Sequence, residues 1–248
     1  MHHFFTEPSN IEDQDIYICG SDYNHIKNVL RLRPGDVISV SNGVSRDEYR
    51  CHIEAFETDR VHLRLDFIKR ADVELPVRLI LFQGLPKSDK MDFIVQKAVE
   101  LGISEVVPVA LSRCVTRLDD KKKQNRVQRW NTIAEAAAKQ SKRAVIPPVQ
   151  PVMTLEEALK YSQGIDHRLI PYELTKESSS AAELLEGVQP GESVGIFIGP
   201  EGGFEETEVR AAREAGFSDI SLGKRILRTE TAALVVLSWF IYLFEIRN

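Results

Sequence analysis

The chain reads as an α/β protein: a mainly parallel sheet with helices on both faces, preceded by a small β-barrel-like module. Before residue 70, short runs of alternating polarity are separated by turn residues, the pattern of strands with one buried face. From Pro76 onward strand-like and helix-like segments alternate, as in a parallel sheet covered on both sides. Near the C-terminus two apolar runs stop at glycine loops, Gly199 and Gly223, each followed by a helix-like segment. Sheets of this kind bind ligands beyond the carboxyl ends of their strands.

In the first part the expected strands are 16–18, 36–40, 49–53 and 61–65, divided by Arg33-Pro34-Gly35-Asp36 and Ser41-Asn42-Gly43. One short helix is expected over 25–31. The polar stretch 69–75 reads as a linker, which divides the chain into domains over 1–70 and 71–248. The second part opens with a strand over 77–82. A helix over 88–101 follows, with Ile94, Ala98 and Leu101 on one face and Gly102 at its stop. A strand over 105–109 and a long helix over 124–142 come next; Pro147 and Pro148 limit 145–149 to a short strand. Thr154 and Glu157 have capping-box spacing. Beyond them are strand 168–171, helix 181–185, strand 194–198, helix 205–215 ended by Gly216, strand 220–222 and an apolar helix over 232–244.

With 248 residues, 43% of them hydrophobic, the chain can build its cores without staples. Cys19, Cys51 and Cys114 are odd in number and far apart, which disfavours a disulfide framework and suits a reducing compartment. The histidines lack ligand spacing, so no metal is expected. The N-terminus MHHFFTEPSN lacks the form of a signal peptide, and 232–244 falls short of the ~18 apolar residues of a span. A cytoplasmic protein without a membrane partner is the expectation.

The net charge of −5 is unevenly spread. Residues 112–143 hold ten Lys/Arg, Arg117 among them, against three acids, a net +7, whereas 156–214 carry a net −8. A basic segment in an acidic chain suits contact with phosphates; an ion-paired, solvated helix face is the plainer alternative.

The two glycine loops carry the chemistry. In IFIGPEGGFEETEV (196–209), Gly199, Gly202 and Gly203 allow positive φ and close approach to main-chain groups. The loop matches neither GxxxxGK[ST] nor GxGxxG, which disfavours ATP and NAD. The second is LGKRILRTETA (222–232).

Together with HIKNVLRLRPGD (25–36), GLPKSDKMDFIVQKAVELGISEVVPV (84–109), AAAKQSKR ending at Arg143 and LIPYE (169–173), these loops resemble the bacterial 16S ribosomal RNA uridine-1498 N3-methyltransferases of the SPOUT (trefoil-knot) superfamily. The resemblance spans most of the chain. It implies a PUA-like RNA-binding domain, a homodimer, and a C-terminal knot over roughly 196–233 that holds S-adenosyl-L-methionine. It places Pro171, Ile198, Gly199, Pro200, Gly203, Leu222, Gly223, Ile226, Leu227, Thr231 and Ala232 around that cofactor. The implied partner is 16S ribosomal RNA, in the small ribosomal subunit.

Uridine N3 bears a weakly acidic proton, so alignment and stabilisation of the developing anion must supply most of the catalysis. Arg228 is the first candidate to meet that charge and Arg143 the second. Glu201, Glu230 and Glu173 are candidate bases, although turn formation and helix capping explain them nearly as well. Thr229 is placed to cap the last helix. His25, Lys27, Arg31, Arg33, Lys87, Lys90 and Arg113 are candidate RNA contacts.

Two positions depart from the family pattern: His3 precedes Phe4-Phe5 where arginine is common, and Lys139 stands where glutamate is frequent. Ribose 2′-O-methylation and a catalytically silent RNA-binding assembly factor remain the alternatives.

Overall fold

The computed structural model describes residues 1–116, 118–172 and 181–247. It divides into two compact units, Met1–Glu74 with Ala138–Ile146, and Leu75–Ala137 with Pro147–Asn248.

In the first unit β1 (His3–Phe5), β2 (Ile11–Glu12), β3 (Asp15–Cys19), β4 (Val37–Ser41), β5 (Asp47–Phe56) and β6 (Arg60–Arg70) form one mixed sheet, ordered β1-β4-β5-β6-β3-β2. The period-two alternation decides which face is buried: Ile16 and Ile18, Ile38 and Val40, Cys51 and Ile53, and Val61 and Leu63 turn inward with Phe4 and Ile26. β1, too short to show alternation, pairs parallel to β4. The helix begins earlier than expected, as α1 (Gly20–Asn24), and runs into a π-helical turn, His25–Val29. Its first residues, GSDYN, are mostly polar and carry little apolar periodicity.

The stretch 69–75 is not a bare linker. β6 runs through Arg70, and the Glu74 side chain is only 6% exposed, paired with Arg143. Its carboxylate also accepts from the backbone N–H groups of Ala144 (3.2 Å) and Val145 (3.3 Å). Ile146 N–H donates to the Gly43 carbonyl, so Ala138–Ile146 is built into this unit. The segment reads as a linker because Glu74 finds its partner 69 residues further on.

The second unit holds β7 (Arg78–Gly84), α2 (Lys90–Glu100), β8 (Glu105–Ala110), most of α3 (Asp120–Gln140), β9 (Met153–Thr154), α4 (Leu155–Tyr161), β10 (His167–Pro171), α5 (Ala181–Glu186), β11 (Ser193–Ile198), α6 (Glu206–Glu214), β12 (Ser218–Ile220) and α7 (Thr229–Ile241). The sheet order is β12-β10-β11-β7-β8-β9, with every pair parallel. Ile80 and Phe82 pack with Ala158 of α4 and Val209 and Ala212 of α6. Gln83, of opposite parity, bonds Thr229 of α7, so helices cover both faces. From β7 the chain moves outward through β8 to β9, while β11, β10 and β12 lie on the other side. That reversal opens a crevice at the carboxyl ends of the strands.

Gly102 (φ 85°) and Gly216 (φ 87°) follow α2 and α6 as expected, and Thr154 and Glu157 form the capping box of α4. Residues 145–149 make only isolated bridges at Val145 and Val149, since Pro147 and Pro148 have no N–H to donate. Thr229–Ile246 has the length and composition to cross a bilayer; 28% of it is buried, and Ala232, Ala233, Val236, Leu237 and Phe240 lie on its buried face.

Candidate active site

β10, β11 and β12 end at Pro171, Ile198 and Ile220, and these three residues line one cleft of about 660 Å³. The volume suits a small-molecule site. Its walls are the loop after β11 and the loop between β12 and α7.

The first loop is fixed from below. A Cβ at Gly84 would stand 2.7 Å from Pro200 Cδ and 2.8 Å from Pro200 N, so only glycine lets the loop rest on the end of β7. Gly203 turns back with φ 66°, its N–H donating to the Pro200 carbonyl at 2.9 Å. The Gly199 carbonyl accepts from the Thr229 hydroxyl at 2.6 Å, and Thr229 Oγ1 accepts from Gln83 Nε2 at 2.9 Å. Thr229 therefore ties strand, loop and helix together. It is not the helix cap: Arg228 holds that position, without a capping side chain.

Lys90, at the start of α2, lies 3.1 Å from Glu201 Oε1 and 3.3 Å from Glu230 Oε2. Hydrogen bonding to Glu201 holds the Lys90 ammonium above its usual range. Partial burial pushes the Glu201 carboxyl up, but hydrogen bonds from its own and the Lys87 backbone N–H, with Lys90, together bring it below the ordinary range. Glu201 is thus held as a carboxylate and is a weak base. Glu173 lies outside the described residues.

Of the expected cofactor residues, Pro171, Ile198, Gly199, Pro200, Gly203, Leu222, Ile226, Leu227 and Ala232 line the cleft. Gly223 and Thr231 do not; Gly223 shapes its loop with φ 98°, and Thr231 is exposed on the first turn of α7. Ile226 sits at the mouth, 87% exposed. Tyr172, Phe204, Glu206 and Ile220 also line the cleft and were not anticipated. Phe204 packs edge-on against Phe197 of the core, a placement that no motif spacing announces.

Arg228 and Arg225 both line the cleft, and neither guanidinium has a protein partner among the described residues. Arg143 belongs to the first unit, with a side chain 5% exposed and committed to Glu74. Arg143, the second catalytic candidate, is not among the residues that line the cleft.

Among the expected RNA contacts, His25, Lys27, Arg31 and Arg33 are exposed on the first unit, Lys27 donating to the Tyr23 hydroxyl. Lys87 is exposed and Arg113 lines the cleft, donating to the Gly202 carbonyl at 3.1 Å. Lys90 faces carboxylates in place of phosphate. In the basic segment, Lys122, Lys123, Arg126 and Arg129 pair with Asp119, Asp120, Asp89 and Asp92, the ion-paired alternative; Arg117 lies outside the described residues.

The family model for the RNA methyltransferase domain matches residues 73–241, and that for the RNA methyltransferase PUA domain matches 18–66. The chain is 35% identical to the ribosomal RNA small subunit methyltransferase E of Bacillus subtilis, over 99% of this chain and 98% of that one. It is 32% identical to the protein of the same name from Mycobacterium bovis, over 89% of this chain and 83% of that one. A crystal structure of the Neisseria gonorrhoeae methyltransferase E bound to S-adenosyl methionine superposes with a TM-score of 0.84 at 32% identity, covering 98% of each chain. A PUA-like unit ahead of a knotted SPOUT-type sheet is the fold class shared with these proteins. One family accounts for both units and for the cleft between the glycine loops, and the chain belongs to it: the RNA methyltransferases.

Proposed function

We propose that the chain is an S-adenosyl-L-methionine-dependent enzyme that methylates N3 of uridine-1498 in 16S ribosomal RNA. The observation that carries the reading is the cleft itself: apolar walls from Ile198, Leu222 and Leu227, glycine loops on two sides, and the unpaired Arg225 and Arg228 among its lining residues. The donor in the similar Neisseria structure supports it. The residues fit the group. At Gly203 a Cβ would meet nothing within 4 Å, so the loop leaves open space, and Leu222 and Leu227 offer flat apolar surface to a base.

Bound S-adenosylmethionine supplies a methyl group made electrophilic by sulfonium charge. The protein's own part is orientation and charge. The Thr229–Gly199–Gln83 bonds fix the backbone next to Arg228, which lines the cleft, and its unpaired guanidinium is free to meet negative charge that develops on uridine O2 or O4. Glu201, kept ionised, takes up the N3 proton poorly, and water receives it.

We assign RNA binding to the PUA-like domain built on residues 1–70, helped by Arg113 at the cleft, and methyl transfer to the domain built on 71–248, with Ala138–Ile146 returning to the first. The enzyme works in the cytoplasm on the small ribosomal subunit as a homodimer. Leu234, Val235 and Trp239, only partly buried opposite the core face of α7, suit a second copy.

Incubation with labelled donor and small subunits, followed by mass spectrometry of a nucleoside digest, is the test. N3-methyluridine is expected. A 2′-O-methyl product would favour the ribose alternative, and donor binding without any product would favour the silent assembly factor.

A further inference from the structure

Lys90 Nζ serves two carboxylates at once, Glu201 in the glycine loop and Glu230 in the first turn of α7. One ammonium neutralises one carboxylate, so the trio carries one surplus negative charge. The side chains of Lys90, Glu201 and Glu230 are only 30%, 25% and 18% exposed. Glu230 Oε2 is withdrawn from solvent and, among the described residues, has Lys90 Nζ at 3.3 Å as its one ion-pair partner, an ammonium that it shares with Glu201. The other charged residues that line the cleft, Arg113, Glu206, Arg225 and Arg228, are exposed and make no ion pair among the described residues, so none of these arginines neutralises the trio.

We propose that this pair of carboxylates, held by Lys90, sets the preference of the cleft for a cationic methyl donor over its neutral product. The inference rests on the reading of the cleft as the S-adenosylmethionine site. In the transfer, the methyl carbon bonds to N3, the S–C electron pair stays on sulfur, and the N3 proton leaves to water. A sulfonium thereby becomes the uncharged thioether of S-adenosylhomocysteine. Apart from the methyl group the two ligands are alike, so apolar walls and main-chain contacts hold both similarly and charge separates them. Lys90 and Glu201 line the cleft, and Glu230, next in sequence to the lining residue Thr229, acts on it through Lys90; the trio's surplus negative charge favours the cation, and that attraction vanishes when the methyl group leaves. Product is then released more readily than donor.

Calorimetry on the full chain tests this with three probes: S-adenosylmethionine, S-adenosylhomocysteine, and sinefungin, which carries an ammonium in place of the sulfonium. Glu201→Gln and Glu230→Gln should each lower the preference for S-adenosylmethionine over S-adenosylhomocysteine by about three- to tenfold, with sinefungin following the cationic ligand. Lys90→Met should raise that preference and Lys90→Arg should preserve it. These opposite directions cannot come from damage to cleft shape, which weakens all ligands together. If Lys90→Met fails to fold, the two glutamine variants decide. Parallel weakening of all three ligands in the glutamine variants overturns the inference, as does a lowered preference in a folded Lys90→Met. Failure of the unaltered protein to bind any of the three would overturn the cofactor reading, and this inference with it.

Discussion

The Thr229 hydroxyl donates to the Gly199 carbonyl at 2.6 Å across 30 residues of chain, joining the start of the last helix to the loop that ends β11. Loss of that hydroxyl takes a donor from the half-buried Gly199 carbonyl and an acceptor from the buried Gln83 amide. Thr229→Val should cost about 1–3 kcal/mol of stability and weaken donor binding, whereas Thr229→Ser retains both. Thermal melts with calorimetry on the two variants check this; equal behaviour of Val and Ser would remove the bond from the account.

Gly203 and Gly199 should fail differently. Gly203 sits at φ 66°, where a β-branched residue is strained by about 1–3 kcal/mol, so Gly203→Val should lower stability and donor affinity together and Gly203→Asn should be milder. At Gly199 the obstacle is a neighbour: a Cβ would lie 3.1 Å from Phe204 Cε2. Gly199→Ala should therefore weaken binding modestly and be partly rescued by Phe204→Leu, read as donor Kd. No rescue would argue that the space belongs to the ligand.

Arg228→Lys keeps the charge but loses the planar fork. Single-turnover methylation at saturating donor and RNA should fall roughly 100- to 1,000-fold, the usual loss when a preorganised donor to a developing anion is removed. Arg225→Lys is the matched comparison. Equal deficits of tenfold or less in both would take Arg228 off the chemistry.

His3 gives the first unit a pH dependence of stability. Burial pushes its imidazole down, more than nearby Glu48 raises it, so the folded state favours the neutral ring. The unfolded chain takes up a proton near pH 6.5 and the folded one only lower. Stability from this group is complete above about pH 6.5 and is lost as pH falls toward the folded value. Melting temperatures of the protein and of His3→Gln, compared from pH 8 to 5, should differ by a constant amount above about pH 6.5, and below it the protein should lose stability relative to the variant. A constant offset over the whole range would dismiss the histidine.

The regular elements were legible because period-two and period-3.6 patterns reflect burial directly, and β7, β8 and β11 are the continuous apolar runs of strands buried on both faces. Both glycine loops were legible too. Hidden were the partnerships that join distant positions: Glu74 with Arg143, Lys90 with Glu201 and Glu230, Thr229 with Gly199. A polar side chain shows its type in sequence, but what it faces is set by topology. Gln83 was the available signal, a polar residue inside the apolar run LILFQG, since a buried amide needs a partner.

The return of Ala138–Ile146 to the first unit also bears on synthesis. Nascent chains usually complete an N-terminal domain before the next emerges. Here the ribosome must translate well past β8 and the whole of α3 before Arg143 can reach the waiting Glu74 carboxylate. Until then that carboxylate stays hydrated and its burial is postponed. The N-terminal unit matures while much of the second is already outside the exit tunnel, which makes their folding interleaved in time.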